Sequence, residues 1–360
     1  SLPLVGVTGS VGKTTTREMI AAALSTGFHV YKTPGNSNSQ VGVPITIAEI
    51  PRDAQIGVIE LGMSQPGEMT RIARIAQVDY AVITNIGVTH MENLGSRENI
   101  LKEKLHIQDG MNPDGMLILN GDDERLRSVI PEGGRKALFY GMGENCQCRG
   151  QDLHLEHGYP VFTAVFKEER AQVRLKVMGV HMVSNALAAL AVAAVNGISL
   201  KQAAAGLEKF EGFKGRQQTF KLGGVTVIDD SYNASPASLK AGLRVIWGAS
   251  DANRRIAVLA DMKELGTGAF GFHREIGAYI AAHPVDEVLL LGDLAAEIGR
   301  GLLGAGSEVP VTLCKDLEEV KGWLNKQLKE GDWVFFKGSN SMGLSEAVSY
   351  VKNQRSQQTI

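Results

Sequence analysis

Residues 7–16 read VTGSVGKTTT. Gly12-Lys13-Thr14 matches the end of a phosphate-binding loop of the form GxxxxGK[ST], while Val7 stands where that pattern has its first glycine. The flanks carry the reading. An apolar run, LPLVGVT, enters the loop, and a helical pattern, TTREMIAAAL, leaves it. In that order, backbone N–H groups at the helix N-terminus can face phosphate oxygens while Lys13 neutralises their charge. Gly9, Ser10, Gly12, Lys13, Thr14 and Thr15 are therefore candidate nucleotide contacts, with the Thr14 hydroxyl a candidate magnesium ligand. The plain alternative is a glycine-rich turn with a surface lysine.

Outward from the loop, IGVIELG (56–62), YAVITNIG (80–87) and GMLILNG (115–121) read as further strands between helical patterns. That alternation predicts a parallel sheet covered by helices. Residues 136–178 are expected to leave the pattern as an antiparallel excursion with hairpins, because YPVFTAVF and QVRLKVMG alternate. SNALAALAVAAVNG (184–197) predicts a helix stopped by Gly197. FEGFKGRQQ (210–218), rich in glycine and charge, marks a domain boundary. Beyond it VTVIDD, RIAVLAD, EVLLLGD and WVFFKGS read as strands separated by helices, and the tail KNQRSQQTI reads as frayed. The expected fold is α/β: a P-loop ATPase-type central domain with a mostly parallel sheet over residues 1–214, then a smaller Rossmann-like α/β domain over residues 215–360.

Composition narrows the function. The 360 residues are 44% hydrophobic and 21% charged, too many for one ordinary core and suited to two domains. A formal net charge of -2 advertises no broad basic face for nucleic acid or a membrane surface. Cys146, Cys148 and Cys314 have neither zinc-knuckle spacing nor the number for a disulfide framework, so reduced thiols are expected. No apolar run reaches the roughly 20 residues that span a bilayer, and no signal peptide is visible, so a cytoplasmic location is expected.

Glu60 closes the apolar run IGVIELG at the carboxyl edge of the sheet, where open α/β domains bind ligands. Packing explains such a carboxylate poorly and magnesium ligation explains it well, though it could also cap the next turn. His90 follows another strand end; its spacing alone leaves a structural and a functional role equally open.

The motifs taken together add a resemblance. VTGSVGKTTT, TPGNSNSQVGVP (33–44), ELGMSQPGEM (60–69), TNIGVTHMENLGS (84–96), GVHMVSNALAAL (179–190), DDSYNASPAS (229–238), LADMKELG (259–266) and KGSNSM (337–342) follow one another as in the Mur ligases, over essentially the whole chain. The sequence resembles most the branch that joins D-alanyl-D-alanine to UDP-N-acetylmuramoyl-tripeptide. The resemblance implies an ATP-dependent amide ligase: ATP phosphorylates a carboxylate, an amine attacks the acyl phosphate, and phosphate leaves. Lys13, Glu60, His90 and Lys104 are then the catalytic set. Thr14 and Glu60 would hold one magnesium ion, with His90 and Lys104 supporting a second. Lys104 matches a family lysine that carbon dioxide carbamylates, and helical spacing turns it away from Lys102 by nearly half a turn.

By the same resemblance Asn85, Asn185, Arg216 and Asp230 join the ATP contacts. Thr33, Asn36, Asn38 and Ser39 face the carboxylate substrate, while Asp261, His273, Lys337, Ser339 and Asn340 belong to the amine side, with Glu264 in the same motif. Several positions depart from the family pattern: Ser39 replaces a common asparagine, His106 a glutamate, Met182 a polar residue, Ala260 a glycine and Asn340 an arginine. Asparagine cannot reproduce an arginine's bidentate grip on a carboxylate.

Relatives of this kind carry an N-terminal domain that recognises the UDP-sugar, and this sequence opens at the P-loop strand. A truncated chain, a partner chain supplying that domain, or a different carboxylate substrate are the open explanations. The chain is otherwise expected to act as a monomer on small molecules, with neither nucleic acid nor membrane as partner. The competing readings are a related ligase acting on folates, polyamino acids or tetrapyrrole side chains, and an ATP-dependent binding or regulatory protein that makes no bond.

Overall fold

The computed structural model describes residues 1–356. They form two compact units, one of residues 1–176 and 180–211, the other of residues 177–179 and 212 onward.

The first unit begins with β1 (Leu4–Thr8), α1 (Lys13–Leu24), β2 (Val30–Lys32), α2 (Gly42–Ala48), β3 (Ile56–Glu60), α3 (Glu68–Ala76) and β4 (Tyr80–Ile83). It continues with α4 (Met91–Leu94), α5 (Arg97–Leu105), β5 (Met116–Asn120), β6 (Lys136–Gly141), β7 (Cys148–Glu156), β8 (Tyr159–Phe166), β9 (Glu169–Arg174), α6 (Met182–Val195) and α7 (Leu200–Glu208). Among the described residues one nine-stranded sheet runs β2-β3-β1-β4-β5-β6-β7-β8-β9. Strands β2 to β6 are parallel throughout, and only β7-β8 and β8-β9 pair antiparallel. Central β1 buries Val5 and Val7 completely, as a strand covered on both faces must. The position that lacks the loop's first glycine is thus a core position. Helix α6 buries ten of its side chains, from Met182 to Ala193, which explains its nearly unbroken apolar composition.

Two expectations need correction. The antiparallel excursion does not start at residue 136: β6 pairs parallel with β5, Met116 against Lys136 through Asn120 against Tyr140, and the later hairpins extend the same sheet. The alternating segments YPVFTAVF and QVRLKVMG lie in the later hairpins, and KALFYG forms a parallel strand instead. Nor is KNQRSQQTI frayed where it is described. The last helix runs through Ser356, with Arg355 donating 2.8 Å to the carbonyl of Leu328; residues 357–360 lie outside the described residues.

The second unit contains β10 (Gln218–Leu222), β11 (Val225–Asp230), α8 (Pro236–Trp247), β12 (Arg254–Ala260), α9 (Ala269–Ala282) and β13 (Glu287–Leu291). It ends with α10 (Ala296–Gly304), β14 (Val311–Cys314), α11 (Leu317–Gln327), β15 (Asp332–Lys337) and α12 (Leu344–Ser356). Its described strands form a six-stranded sheet ordered β10-β11-β15-β12-β13-β14, parallel except for the β10-β11 edge pair. The parallel order places the ends of β11, β12 and β15 side by side, which gathers Asp230, Asp261 and Lys337. No helix among the described residues is long and apolar enough to cross a membrane.

Helices α9 and α10 pack so closely that a Cβ on Gly277 would lie 2.2 Å from the Ile298 carbonyl oxygen, and one on Gly301 2.1 Å from that of Arg274. Gly277→Val is therefore expected to lower the calorimetric unfolding midpoint by roughly 2–10 °C, the cost of overpacking. Gly304→Ala, facing open space at the end of α10, should leave it unchanged.

Candidate active site

The loop between β1 and α1 is braced by the segment that follows β4. The Ser10 N–H donates to the Asn85 carbonyl at 3.0 Å, and Gly87 N–H to Ser10 Oγ at 2.8 Å. The Asn85 side chain meets both backbone polar groups of one residue: its Oδ1 accepts from Val11 N–H at 2.9 Å, and its Nδ2 donates to the Val11 carbonyl at 2.9 Å. Thr84 Oγ1 donates to the same carbonyl at 2.7 Å. Gly9, at φ 148°, passes so close to Thr84 that a Cβ would sit 1.8 Å from Oγ1. Lys13 curls over the loop it serves, with Nζ donating to the Gly9 carbonyl at 2.9 Å. Asn185 accepts a 3.1 Å hydrogen bond from Thr16, next to the buried Thr15 on the first turn of α1. Asn85 and Asn185, expected to touch ATP, thus hold the loop and its helix.

Glu60, the last residue of β3, is fully buried. Thr14 Oγ1 lies 3.1 and 3.2 Å from its two carboxylate oxygens. Asn38 Nδ2 donates to Oε1 at 2.8 Å and Arg17 Nη1 to Oε2 at 2.9 Å, while the Glu60 N–H donates to Thr33 Oγ1 at 2.9 Å. Two of the expected substrate-loop residues, Thr33 and Asn38, therefore converge on the expected metal ligand. Asn36 is half-buried beside them, its carbonyl accepting from Asn38 N–H at 2.8 Å. Ser39 is exposed and accepts from the Gly42 N–H at 3.2 Å at the start of α2.

The donor chemistry fits magnesium. Thr14 and Glu60 offer hard oxygens, and magnesium is commonly held by one or two carboxylates with phosphates and water completing the shell. Among the described residues no cluster of three or more His, Cys, Asp or Glu could hold a metal by protein alone, so phosphate oxygens would have to share the coordination. His90 lies at the start of α4 with a left-handed φ of 61°.

Lys104 is 1% exposed on α5, whereas Lys102 is exposed and His106 turns outward to a hydrogen bond with Asp109 at 3.0 Å. Burial pushes the Lys104 ammonium well below the usual lysine range, and the charge of Lys13 adds to the effect against a smaller opposing pull from Glu103. Glu103 is engaged elsewhere, accepting from the Met69 N–H at the start of α3 at 3.1 Å.

In the second unit, Lys337 Nζ donates to Asp230 Oδ2 at 2.7 Å and to the Asn233 carbonyl at 3.0 Å. Burial lowers the Lys337 pKa, with Asp230 opposing the shift. The Arg216 guanidinium stacks 4.1 Å over the Tyr232 ring. Asp261 accepts from Ala295 N–H at 2.7 Å and Lys263 Nζ at 3.0 Å, and its carbonyl accepts from Ser339 N–H at 2.9 Å. Ser339 Oγ in turn accepts from Lys263 N–H at 2.8 Å. Fully buried His273 accepts from Met262 N–H at 3.0 Å through Nε2 and donates to the Ala269 carbonyl at 2.6 Å through Nδ1. Asp261 and His273 thus fasten turns, and Asn340 is the exposed start of a single helical turn.

Two family models match these segments, the Mur ligase middle domain over residues 7–193 and the Mur ligase glutamate ligase domain over residues 215–340. The chain belongs to the Mur ligase family. It is 37% identical over 346 residues to the UDP-N-acetylmuramoyl-tripeptide–D-alanyl-D-alanine ligase of Bacillus subtilis (strain 168), covering 96% of this chain and 75% of that relative. Among solved structures, MurF from Acinetobacter baumannii matches with a TM-score of 0.88 at 28% identity, covering 98% of this chain and 77% of that one. MurF ligase from Thermotoga maritima in complex with ADP gives 0.87 at 28% identity, covering 99% and 81%.

One residue of this Mur ligase escaped the sequence reading. Arg17, fully buried one turn beyond Thr14, contacts Glu60, Glu18 and the Gly35 carbonyl. The available signal was a charged pair, Arg17-Glu18, inside a helix otherwise built of threonine and apolar residues.

The Gly9 contact generates a test. Gly9→Ala is expected to weaken ADP binding by roughly 5- to 150-fold, since loop strain of this kind costs on the order of 1–3 kcal/mol. Calorimetric titration would measure it, with unchanged circular dichroism showing that the fold survives.

Proposed function

We propose that the chain is the ATP-dependent, ADP-forming ligase that adds D-alanyl-D-alanine to UDP-N-acetylmuramoyl-tripeptide in peptidoglycan precursor synthesis, acting in the cytoplasm where ATP is available. The observation that carries the reading is the buried junction at Glu60. One carboxylate receives both the P-loop hydroxyl of Thr14 and the amide of Asn38 from the loop assigned to the carboxylate substrate.

The chemistry follows from charge. A carboxylate oxygen of the substrate attacks the γ-phosphorus of ATP, the bond to ADP breaks, and an acyl phosphate forms. The dipeptide amine then attacks the acyl carbon, phosphate leaves and the amine loses a proton. Two anions must first approach, so the ammonium of Lys13 serves by neutralising phosphate charge. Thr14 and Glu60 would hold one magnesium ion, and His90 with a carbamylated Lys104 a second; bound there, magnesium supplies Lewis-acid neutralisation of both anions. Gly9, Ser10, Gly12 and Thr15 shape the phosphate cradle, supported by Asn85 and Asn185. Arg216 and Asp230 are assigned to the nucleotide, Thr33, Asn36, Asn38 and Ser39 to the carboxylate substrate, and Lys337, Ser339 and Asn340 to the dipeptide, with Asp261 and His273 shaping that side.

Carbamylation has a physical basis in the burial of Lys104. The neutral amine attacks carbon dioxide, an N–C bond forms, and one proton is released. A lowered pKa leaves more neutral amine at a given pH than an exposed lysine has. With ¹³C-labelled bicarbonate, one carbamate resonance is expected, growing as pH rises, beginning below the pH at which exposed lysines react, and absent in Lys104→Ala. A spectrum unchanged by that substitution would remove the assignment.

Phosphate release from ATP and magnesium tests the function, with the muramoyl-tripeptide nucleotide and D-alanyl-D-alanine supplied singly and together. Release that requires both, with a product heavier by the dipeptide, is expected. Turnover with another carboxylate instead would move this chain to the branch acting on a different substrate.

A further inference from the structure

Helix α1 buries two charged residues, Arg17 at 0% exposure and Glu18 at 6%, among the ten of its twelve residues that are buried. Arg17 divides its guanidinium among three segments. Nη1 donates to Glu60 Oε2 at 2.9 Å and to the Gly35 carbonyl at 2.7 Å, and Nη2 donates to Glu18 Oε1 at 2.6 Å. The other Glu18 oxygen pairs with the ammonium of Lys32, at the end of β2, whose side chain is 46% exposed. Two cations and two anions alternate from the protein surface to the buried carboxylate.

Burying Arg17, Glu18 and Glu60 carries a desolvation cost that geometry must recover. A leucine or methionine would fill the space without that cost, so burial alone does not account for the arginine. Its geometry does. The three acceptors belong to the end of β3, the loop over residues 33–41, and α1 itself. Only a planar fork with several fixed donors can serve all three at once; an ammonium on a flexible stem is a point charge.

We infer that Arg17 is a positioning residue that locks the Glu60 carboxylate and the loop over residues 33–41 into one rigid unit, with Glu18 and Lys32 as its counter-charges. Asn38 and Thr33 approach Glu60 from that loop, so the arginine fixes the metal-binding oxygens relative to the residues assigned to the carboxylate substrate. The inference rests on the proposed role of Glu60 as a magnesium ligand. Its loop component does not.

Arg17→Lys keeps the charge and removes the fork, so it isolates geometry. Three quantities are compared in the whole chain: ADP affinity without metal, the magnesium concentration for half-maximal enhancement of ADP binding, and amide hydrogen exchange over residues 33–41 in metal-free protein. Metal-free ADP affinity is expected to stay within about twofold, because Lys13 and the loop are untouched. The magnesium requirement is expected to rise about tenfold, as loss of a charged hydrogen bond implies, and residues 33–41 are expected to exchange faster. Lys32→Gln removes only the half-exposed end and should shift the magnesium requirement less than about threefold.

Unchanged exchange over residues 33–41 would overturn the inference. So would an equal fall in metal-free ADP affinity, which indicates general damage, or a Lys32→Gln effect as large as that of Arg17→Lys. Faster exchange combined with no magnesium dependence in the unsubstituted protein would overturn the metal role of Glu60 while leaving the positioning role of Arg17 intact.

Discussion

A carboxylate with no exposed surface is costly unless its charge and lone pairs are met, and Glu60 is such a group. Its partners come from different parts of the chain: Thr14 and Arg17 from α1, Asn38 from the loop before α2, and Thr33 at the backbone N–H. Meeting the requirement therefore draws the P-loop helix and the loop over residues 33–41 onto the end of β3. A neutral core residue at position 60 would pack more cheaply and leave those segments without a common anchor. The charge balance is local, because Arg17 and Lys32 offset Glu18 and Glu60.

The second unit uses the same economy of partners with smaller means. Parallel pairing of β15 with β11 sets Lys337 opposite Asp230, and their ion pair is met inside the protein by the carbonyl of Asn233. One strand over, Asp261 has its carboxylate committed to the start of α10 and its carbonyl to Ser339. His273 bonds through both ring nitrogens, and burial lowers its pKa, so the neutral ring is the form that accepts from the Met262 N–H. These residues fix the shape of a sheet edge where open α/β folds place ligands.

What the sequence made legible was what it encodes locally. β1, the loop and α1 form a continuous strand, turn and helix whose signals do not depend on distant partners. The edge elements were harder. β2 and β14 are too short to show a period, and β10 is an antiparallel strand added to the edge of a parallel sheet. β6 was placed in the antiparallel stretch because the alternation of the later strands was extended back to residue 136, whereas β6 pairs parallel with β5. At the site, the strand-end position singled out Glu60 and the family resemblance singled out Lys104; both are buried. Neither could show that Asn85 spends its amide on the Val11 backbone, because that pairing spans 74 residues. Arg17 was missed for the opposite reason: a charged helix residue ordinarily reads as solvated, and only the folded chain shows its three acceptors.

Lys13 and Lys104 bring the electrostatics of the first unit together. The sequence marks each lysine separately, and the fold joins them: the charge of Lys13 adds to burial in lowering the pKa of Lys104. As ammonium groups they repel in a setting where burial already disfavours charge. Making Lys104 neutral removes the repulsion, and the proposed carbamate would reverse it, placing an anion where the Lys13 field favours one. Burial disfavours either charge at position 104, but the Lys13 charge that opposes an ammonium there would favour an anion. An acidic side chain would satisfy the field permanently. Under the proposed carbamylation a lysine would satisfy it only while the carbamate persists, which would tie the completed charge pattern to a reversible covalent step.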